Sequence, residues 1–225
     1  MERVRYGNTD LWVSRICFGT GLMAKNRYQL TPQQGGELLR FAYELGVTFW
    51  DTADSYATHP HVREALRGLD RSTVVINTKT PAKTREAASA DVDRYLQEMG
   101  TDYLDSILLH GVMTVDELKA REGALEALLD AKARGKVRAV GLSTHISTGA
   151  IMDEVARRPE LEICLTLGNR DGVMLIHGTI GEHLAAIERV YRAGKGVCLM
   201  KVLADGALAS RAAEAIRWAL TFPYA

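Results

Sequence analysis

Seven times along this chain a short apolar run gives way to a stretch of helical length with one apolar face. The runs are residues 16–19, 47–51, 74–79, 104–110, 137–145, 161–167 and 197–201, and the helical stretches that follow them are 31–45, 61–66, 85–99, 114–134, 148–157, 179–192 and 210–220. Strands that alternate with helices of this length form a parallel sheet with right-handed crossovers. Seven units point to a (β/α)8 TIM barrel in a single domain spanning residues 1–225. The competing doubly wound sheet expects a Gly-x-Gly-x-x-Gly turn after the first strand, and Gly19-Thr20-Gly21-Leu22-Met23-Ala24 lacks the third glycine. Ahead of the barrel, Val4 to Val13 alternates and turns at Gly7-Asn8, which predicts a short N-terminal β-hairpin able to plug one end. After the last helix only residues 221–225 remain, so an eighth β/α unit is expected to be missing from this chain.

Composition narrows the function classes. The 225 residues carry 28 Lys+Arg against 28 Asp+Glu, and 47% are hydrophobic, which suits one ordinary globular domain. A nucleic-acid scaffold would show a basic excess, whereas the only tight basic cluster, Arg134, Lys136 and Arg138, reads as a helix end running into a strand. Cys17, Cys164 and Cys198 stand apart in apolar segments with no Cys-x-x-Cys spacing, so no metal site is expected and buried reduced thiols are. The amino terminus carries Glu2, Arg3 and Arg5 with no apolar core behind them, and no apolar run approaches the roughly 20 residues of a membrane span. These features predict a cytoplasmic protein that engages neither membrane nor nucleic acid.

The chemistry gathers where strands end. The second strand runs through Phe49 and Trp50 into Asp51, with Tyr56 five residues on; the third ends at Lys79 and the fourth at His110. If the strands are parallel neighbours, all four side chains converge at the carboxyl face of the barrel. A free phenol titrates near pH ~10, and a neighbouring ammonium lowers that value by stabilising the phenolate. Lys79 would supply the ammonium, Asp51 would hold it in place, and His110 would orient a carbonyl oxygen. Such a set suits protonation of an alkoxide formed when hydride reaches a carbonyl carbon. Taken singly, each residue has a plainer reading: Asp51 as a loop cap, Tyr56 as packing, Lys79 as a solvated strand end.

Asp51-Thr52-Ala53 with Tyr56, the strand end Thr78-Lys79-Thr80, Leu108-Leu109-His110, and the run from Gly135 to Ser143 together resemble the aldo-keto reductase family, in order and spacing, over nearly the full length. The resemblance implies a (β/α)8 barrel that reduces aldehydes or ketones with NADP(H). It implies Tyr56 as general acid, Lys79 and Asp51 as its tuning pair, and His110 as the group that orients the small-molecule carbonyl substrate. It implies cofactor contacts at Thr20, Ser143, Thr144, Met200 and Lys201. Thr144 stands where many members have asparagine, Leu165 where glutamine is common, and Met200 where many stack a tyrosine on the nicotinamide. The Met200-Lys201 pair is similar to a bacterial branch of the family, without the iron–sulfur extension that some of its members carry.

Two other readings remain open on sequence alone. One is a metal-dependent barrel enzyme with Asp51, His110 and His145 as ligands, against which no His-x-His or His-x-x-x-His pair occurs and Lys79 would set a cation beside the metal. The other is an aldo-keto-reductase-like protein that binds the cofactor in a regulatory role with impaired turnover.

Overall fold

The alternation of side chains along each strand sorts this chain into two cores. The structure, a computed structural model, describes residues 1–24, 27–145 and 149–224. Strands β1 (Arg3–Arg5) and β2 (Trp12–Ser14) pair antiparallel as the expected hairpin. Seven parallel strands follow in sequence order: β3 (Cys17–Gly19), β4 (Phe49–Asp51), β5 (Val75–Thr80), β6 (Leu104–Leu109), β7 (Val137–Thr144), β8 (Ile163–Leu167) and β9 (Gly196–Met200). On one side of this sheet Phe49, Val75, Leu108, Ala139, Ile163 and Leu165 meet Tyr6, Leu11 and Val13 of the hairpin. On the other side Trp50, Ile76, Ile107, Val140, Leu142 and Cys164 meet the helices through Leu39, Val62, Val92, Leu125 and Ile187. Residues two apart therefore face the same core, as strand geometry requires. The inner core is that of a (β/α)8-type TIM barrel with the hairpin seated in its base. Gly7, at φ +61°, makes this seat: a Cβ there would lie 2.2 Å from the Gly196 nitrogen.

The outer layer is α1 (Pro32–Glu44), α2 (His59–Leu66), α3 (Arg85–Met99), α4 (Val115–Ala120), α5 (Glu122–Ala133), α6 (Gly149–Arg157), α7 (Ile180–Arg192) and α8 (Ala212–Ala219). Threonines start several of them. Thr31 and Thr179 form full capping boxes with Gln34 and Glu182, and Thr84 and Thr114 accept from Ala87 and Glu117; such caps each contribute about 1 kcal/mol.

Several boundaries differ from the sequence reading by one or two residues, α2 among them, which begins at His59 rather than His61, and three differences bear on the site. The long amphipathic helix expected over 114–134 is two helices, α4 and α5, broken at Arg121, whose side chain turns inward to the strand ends. The helix expected from 210 begins at Ala212 after a single tight turn. The seventh strand of the barrel stops at Met200, because Lys201 sits at φ +58°. Thr148, expected to open the next-to-last crossover helix but one, lies outside the described residues. Among the described residues β3 and β9 are not bonded to each other, and no helix is long and apolar enough to cross a membrane.

Candidate active site

The parity that buries Phe49, Val75 and Leu108 carries on toward the carboxyl ends of β4, β5 and β6. It places Asp51, then Asn77 and Lys79, then His110, on the same inner face. The register sets Asp51 beside Asn77 and Lys79 beside Leu108. Lys79 is fully buried, and its Nζ donates to Asp51 Oδ2 at 2.7 Å and to the Thr52 carbonyl at 2.8 Å. The second carboxylate oxygen of Asp51 accepts from Asn77 Nδ2 at 2.6 Å, and Asn77 Oδ1 in turn accepts from the Ser106 hydroxyl at 2.7 Å. The order of donors is fixed: an ionised carboxylate only accepts, so the Asn77 amide faces it with nitrogen and meets Ser106 with oxygen.

Tyr56 arrives from outside the sheet. A one-turn helix, Asp54–Tyr56, follows β4 and ends at Ala57 in a left-handed conformation at φ +56°. Arg94 of α3 braces this turn, donating to Asp54 Oδ1 at 2.7 Å while also pairing with Asp91 and Glu98. Gly21 backs the ring closely, since a Cβ there would lie 3.4 Å from it. The Lys79 ammonium lies 4.8 Å from the Tyr56 ring centroid, and the His110 ring meets Tyr56 edge to face at 5.8 Å. Asp51, Tyr56, Lys79 and His110 thus form one cluster at the barrel mouth.

Burial decides the electrostatics here. Burial raises the Tyr56 phenol above its ordinary value, and Lys79 only partly offsets this. The lowering expected from Lys79 is present, but burial opposes it and is the larger effect. Burial works against the Lys79 charge, but Asp51 and then Tyr56 outweigh it, so the ammonium stands above its usual range. Burial, then Lys79, His145 and Arg121, push the His110 imidazole down to about 4, leaving it neutral near pH 7. His145, just past the end of β7, is lowered too, by burial and by Lys201 and Lys79.

The remaining predicted residues fall in different places. Ser143 is buried on the inner face of β7, and its Oγ accepts from the Gly111 amide at 2.9 Å. Met200 is half-buried at the end of β9 and belongs to the inner core, with Lys201 next to it, 3.9 Å from Asp205. Thr20 is buried: its hydroxyl donates to the Asp51 carbonyl at 3.0 Å and lies 2.7 Å from Thr58 Oγ1, so it ties β3 to β4. Thr144 is buried on the alternate parity, shared with Leu142 on the helix side of β7. His59, His61 and His183 are packing residues, all buried: His59 bonds Glu98 of α3 and Thr78 of β5, His61 bonds the Leu30 carbonyl just before α1, and His183 bonds the Leu167 carbonyl of β8. Among the described residues no three His, Cys, Asp or Glu converge as metal ligands.

Asn77, Ser106, Arg94 and Arg121 went unread in the sequence. Asn77 and Ser106 carried a signal: each is a polar residue on the parity that points inward, in line with apolar Val75 and Leu108. Arg94 lies on α3 and Arg121 within a stretch of helical pattern, where a charged residue reads as solvated.

The profile of the aldo/keto reductase family matches residues 15–167. Methylglyoxal reductase YeaE of Escherichia coli is 38% identical over 141 residues, which cover 60% of this chain and 46% of that one. The NADH-specific methylglyoxal reductase of Escherichia coli is 26% identical over 176 residues, 63% of this chain and 51% of that one. The chain spans about half the length of the curated relatives it matches. The Bombyx mori aldo-keto reductase crystallised with NADP superposes with a TM-score of 0.69 at 19% identity, over 89% of this chain and 66% of that one. Profile, barrel and strand-end cluster agree, and the chain belongs to the aldo/keto reductase family.

Proposed function

We propose that this protein reduces the carbonyl of a small aldehyde or ketone by hydride transfer from a nicotinamide cofactor, with Tyr56 as general acid. The observation that carries the reading is the Lys79 ammonium held between the Asp51 carboxylate and the face of the Tyr56 ring. A phenol kept protonated by burial is a proton donor in waiting. When Tyr56 gives its proton to the alkoxide oxygen, the phenolate left behind is stabilised by Lys79, which Asp51 keeps charged and in place. Neutral His110 offers a ring N–H to the carbonyl oxygen without competing for that proton.

The residues present fit a nicotinamide cofactor in part. Ser143 Oγ already accepts from Gly111, which leaves its hydroxyl proton for a carboxamide oxygen. Met200 offers a half-buried apolar face, and Lys201 a cation with only a long contact to Asp205. Thr20 and Thr144 fit less well, the first committed to Asp51 and Thr58, the second on the helix side of the sheet. The cofactor, when bound, supplies the hydride. NADP(H) is our first choice, following the family pattern and the Bombyx mori complex, although the NADH-specific relative shows that the family serves both.

The test is a fluorescence titration with NADPH and then NADH, followed by turnover of a carbonyl panel that includes methylglyoxal. Saturable binding with turnover that falls at least a hundredfold in Tyr56→Phe is the expected result. Retained turnover in Tyr56→Phe refutes the general-acid role. Binding without turnover by the unmodified chain supports instead a cofactor-binding or regulatory protein.

A further inference from the structure

We propose that Arg121 is a positioning residue for His110, locking together the strand ends that carry Lys79 and His110. Its side chain is buried at the break between α4 and α5, and its three nitrogens reach three main-chain carbonyls at or just past the ends of β5 and β6. Nε donates to the Ala82 carbonyl, Nη1 to that of His110 and Nη2 to that of Thr80, each at 2.9 Å. The Thr80 carbonyl also accepts the His110 amide at 2.9 Å. The fork therefore bridges the Lys79 strand and the His110 turn, and fixes their separation from behind.

Helix stability gives no reason for this arrangement. Arg121 interrupts a sequence whose apolar stripe would run unbroken through 114–134, and its backbone at φ −109°, ψ 16° ends α4. A buried cation is costly unless it is compensated. Among the described residues no carboxylate is within ion-pair reach of Arg121, and Glu117 acts on it only at longer range. The compensation comes from the carbonyls, which are the groups that set the site. A planar guanidinium serves three acceptors in one fork, and an ammonium on a flexible stem does not.

The clamp has an electrical side as well. Among the described residues, the groups facing His110 are Lys79 from β5, His145 after β7, the Tyr56 ring and Arg121 itself. Arg121 is thus one of three neighbours that disfavour a charged imidazole.

The proposal rests on the reductase reading for its catalytic meaning, so its test includes a measurement that needs neither cofactor nor turnover. NMR titration of the His110 ring, assigned through His110→Asn, is compared among the unmodified chain, Arg121→Met and Arg121→Lys. In Arg121→Met the His110–Tyr56 ring contact is lost and the His110 titration rises slightly, since burial and Lys79 still hold it down. In Arg121→Lys the charge is kept, the titration stays low, and the ring contact still weakens. With turnover established, both variants lose about tenfold to a hundredfold in kcat/KM for the carbonyl while cofactor affinity is unchanged. A folded Arg121→Met with unaltered titration and ring contact overturns the proposal. If Arg121→Met does not fold, Arg121→Lys decides: an intact ring contact overturns it. Failure of the reductase reading would show instead as absent turnover in the unmodified chain, with the NMR comparison unaffected.

Discussion

The two sides of the barrel mouth are held in place differently. On the side of β4, β5 and β6, Asp51 and Lys79 are tied by charge-assisted hydrogen bonds of 2.6–2.8 Å to each other, to Asn77 and to the main chain. On the side of β9, Met200 is only half-buried, Lys201 and Asp205 stand 3.9 Å apart, and Lys201, Ala204 and Asp205 have φ of +58°, +50° and +54°. Left-handed residues other than glycine each cost on the order of 1 kcal/mol, so this segment stores strain where the other side stores hydrogen bonds. The half proposed to handle the proton is thus tied by its own hydrogen bonds. The half proposed for cofactor contact has fewer such ties, with Lys201 and Asp205 only in long contact.

Removing a lysine from each side tests that contrast most severely. Lys79→Met leaves the buried Asp51 carboxylate without its cation and should cost about 3–5 kcal/mol of unfolding free energy. Lys201→Met should cost under about 1 kcal/mol, as for a long, partly solvated pair. Urea denaturation of both variants measures the difference, and equal losses would abolish the distinction.

Acid should strike the chemical side next. An unfolded imidazole takes up its proton near pH ~6.5, whereas folded His110 resists until about 4. Between those values the unfolded state binds more protons, so stability falls as pH drops through the window, by about 3 kcal/mol from this residue. His110→Asn should flatten the pH dependence of the unfolding free energy between pH 7 and pH 4. An unchanged slope would mean that His110 is not held neutral by its surroundings.

The smallest effect is expected on the strained side. Asp205 is exposed, so Asp205→Gly should relieve its left-handed backbone and raise stability by about 0.5 kcal/mol, less the entropy that glycine costs. A calorimetric melt that falls by several degrees would show that the segment is held by contacts rather than under strain.

The barrel was readable because its two signals are local. Period-two burial and threonine-capped helices repeat along the chain, and a strand end announces itself when Phe49 and Trp50 give way to Asp51. Asp51, Lys79 and His110 converge because they share a parity that follows from the strands themselves. The same rule would have set Thr144 on the helix side of β7, had parity been applied there. What stayed hidden is long-range. Arg121 reaches back 41 residues to Thr80 and 39 to Ala82, and Arg94 reaches back 40 to Asp54. Nothing in a helical repeat marks which charged residue turns inward. The sign of the Tyr56 shift was hidden for a related reason: a neighbouring charge can be read from spacing, whereas the depth of burial comes from the whole fold.

The hairpin at the barrel's base has a further consequence for the traffic of protons. Beneath Asp51 the interior passes from Asn77 and Ser106 to Val75, Phe49, Leu108 and the buried Tyr6 ring, so the polar column ends blind against an apolar stopper. Its lower members are an amide and a hydroxyl, neither of which carries a charge to pass on. On the proposed general-acid role, a proton given up by Tyr56 is not replenished through this column. It would return from solvent at the mouth, and exchange of the phenolic hydrogen would report how readily solvent reaches that end of the barrel.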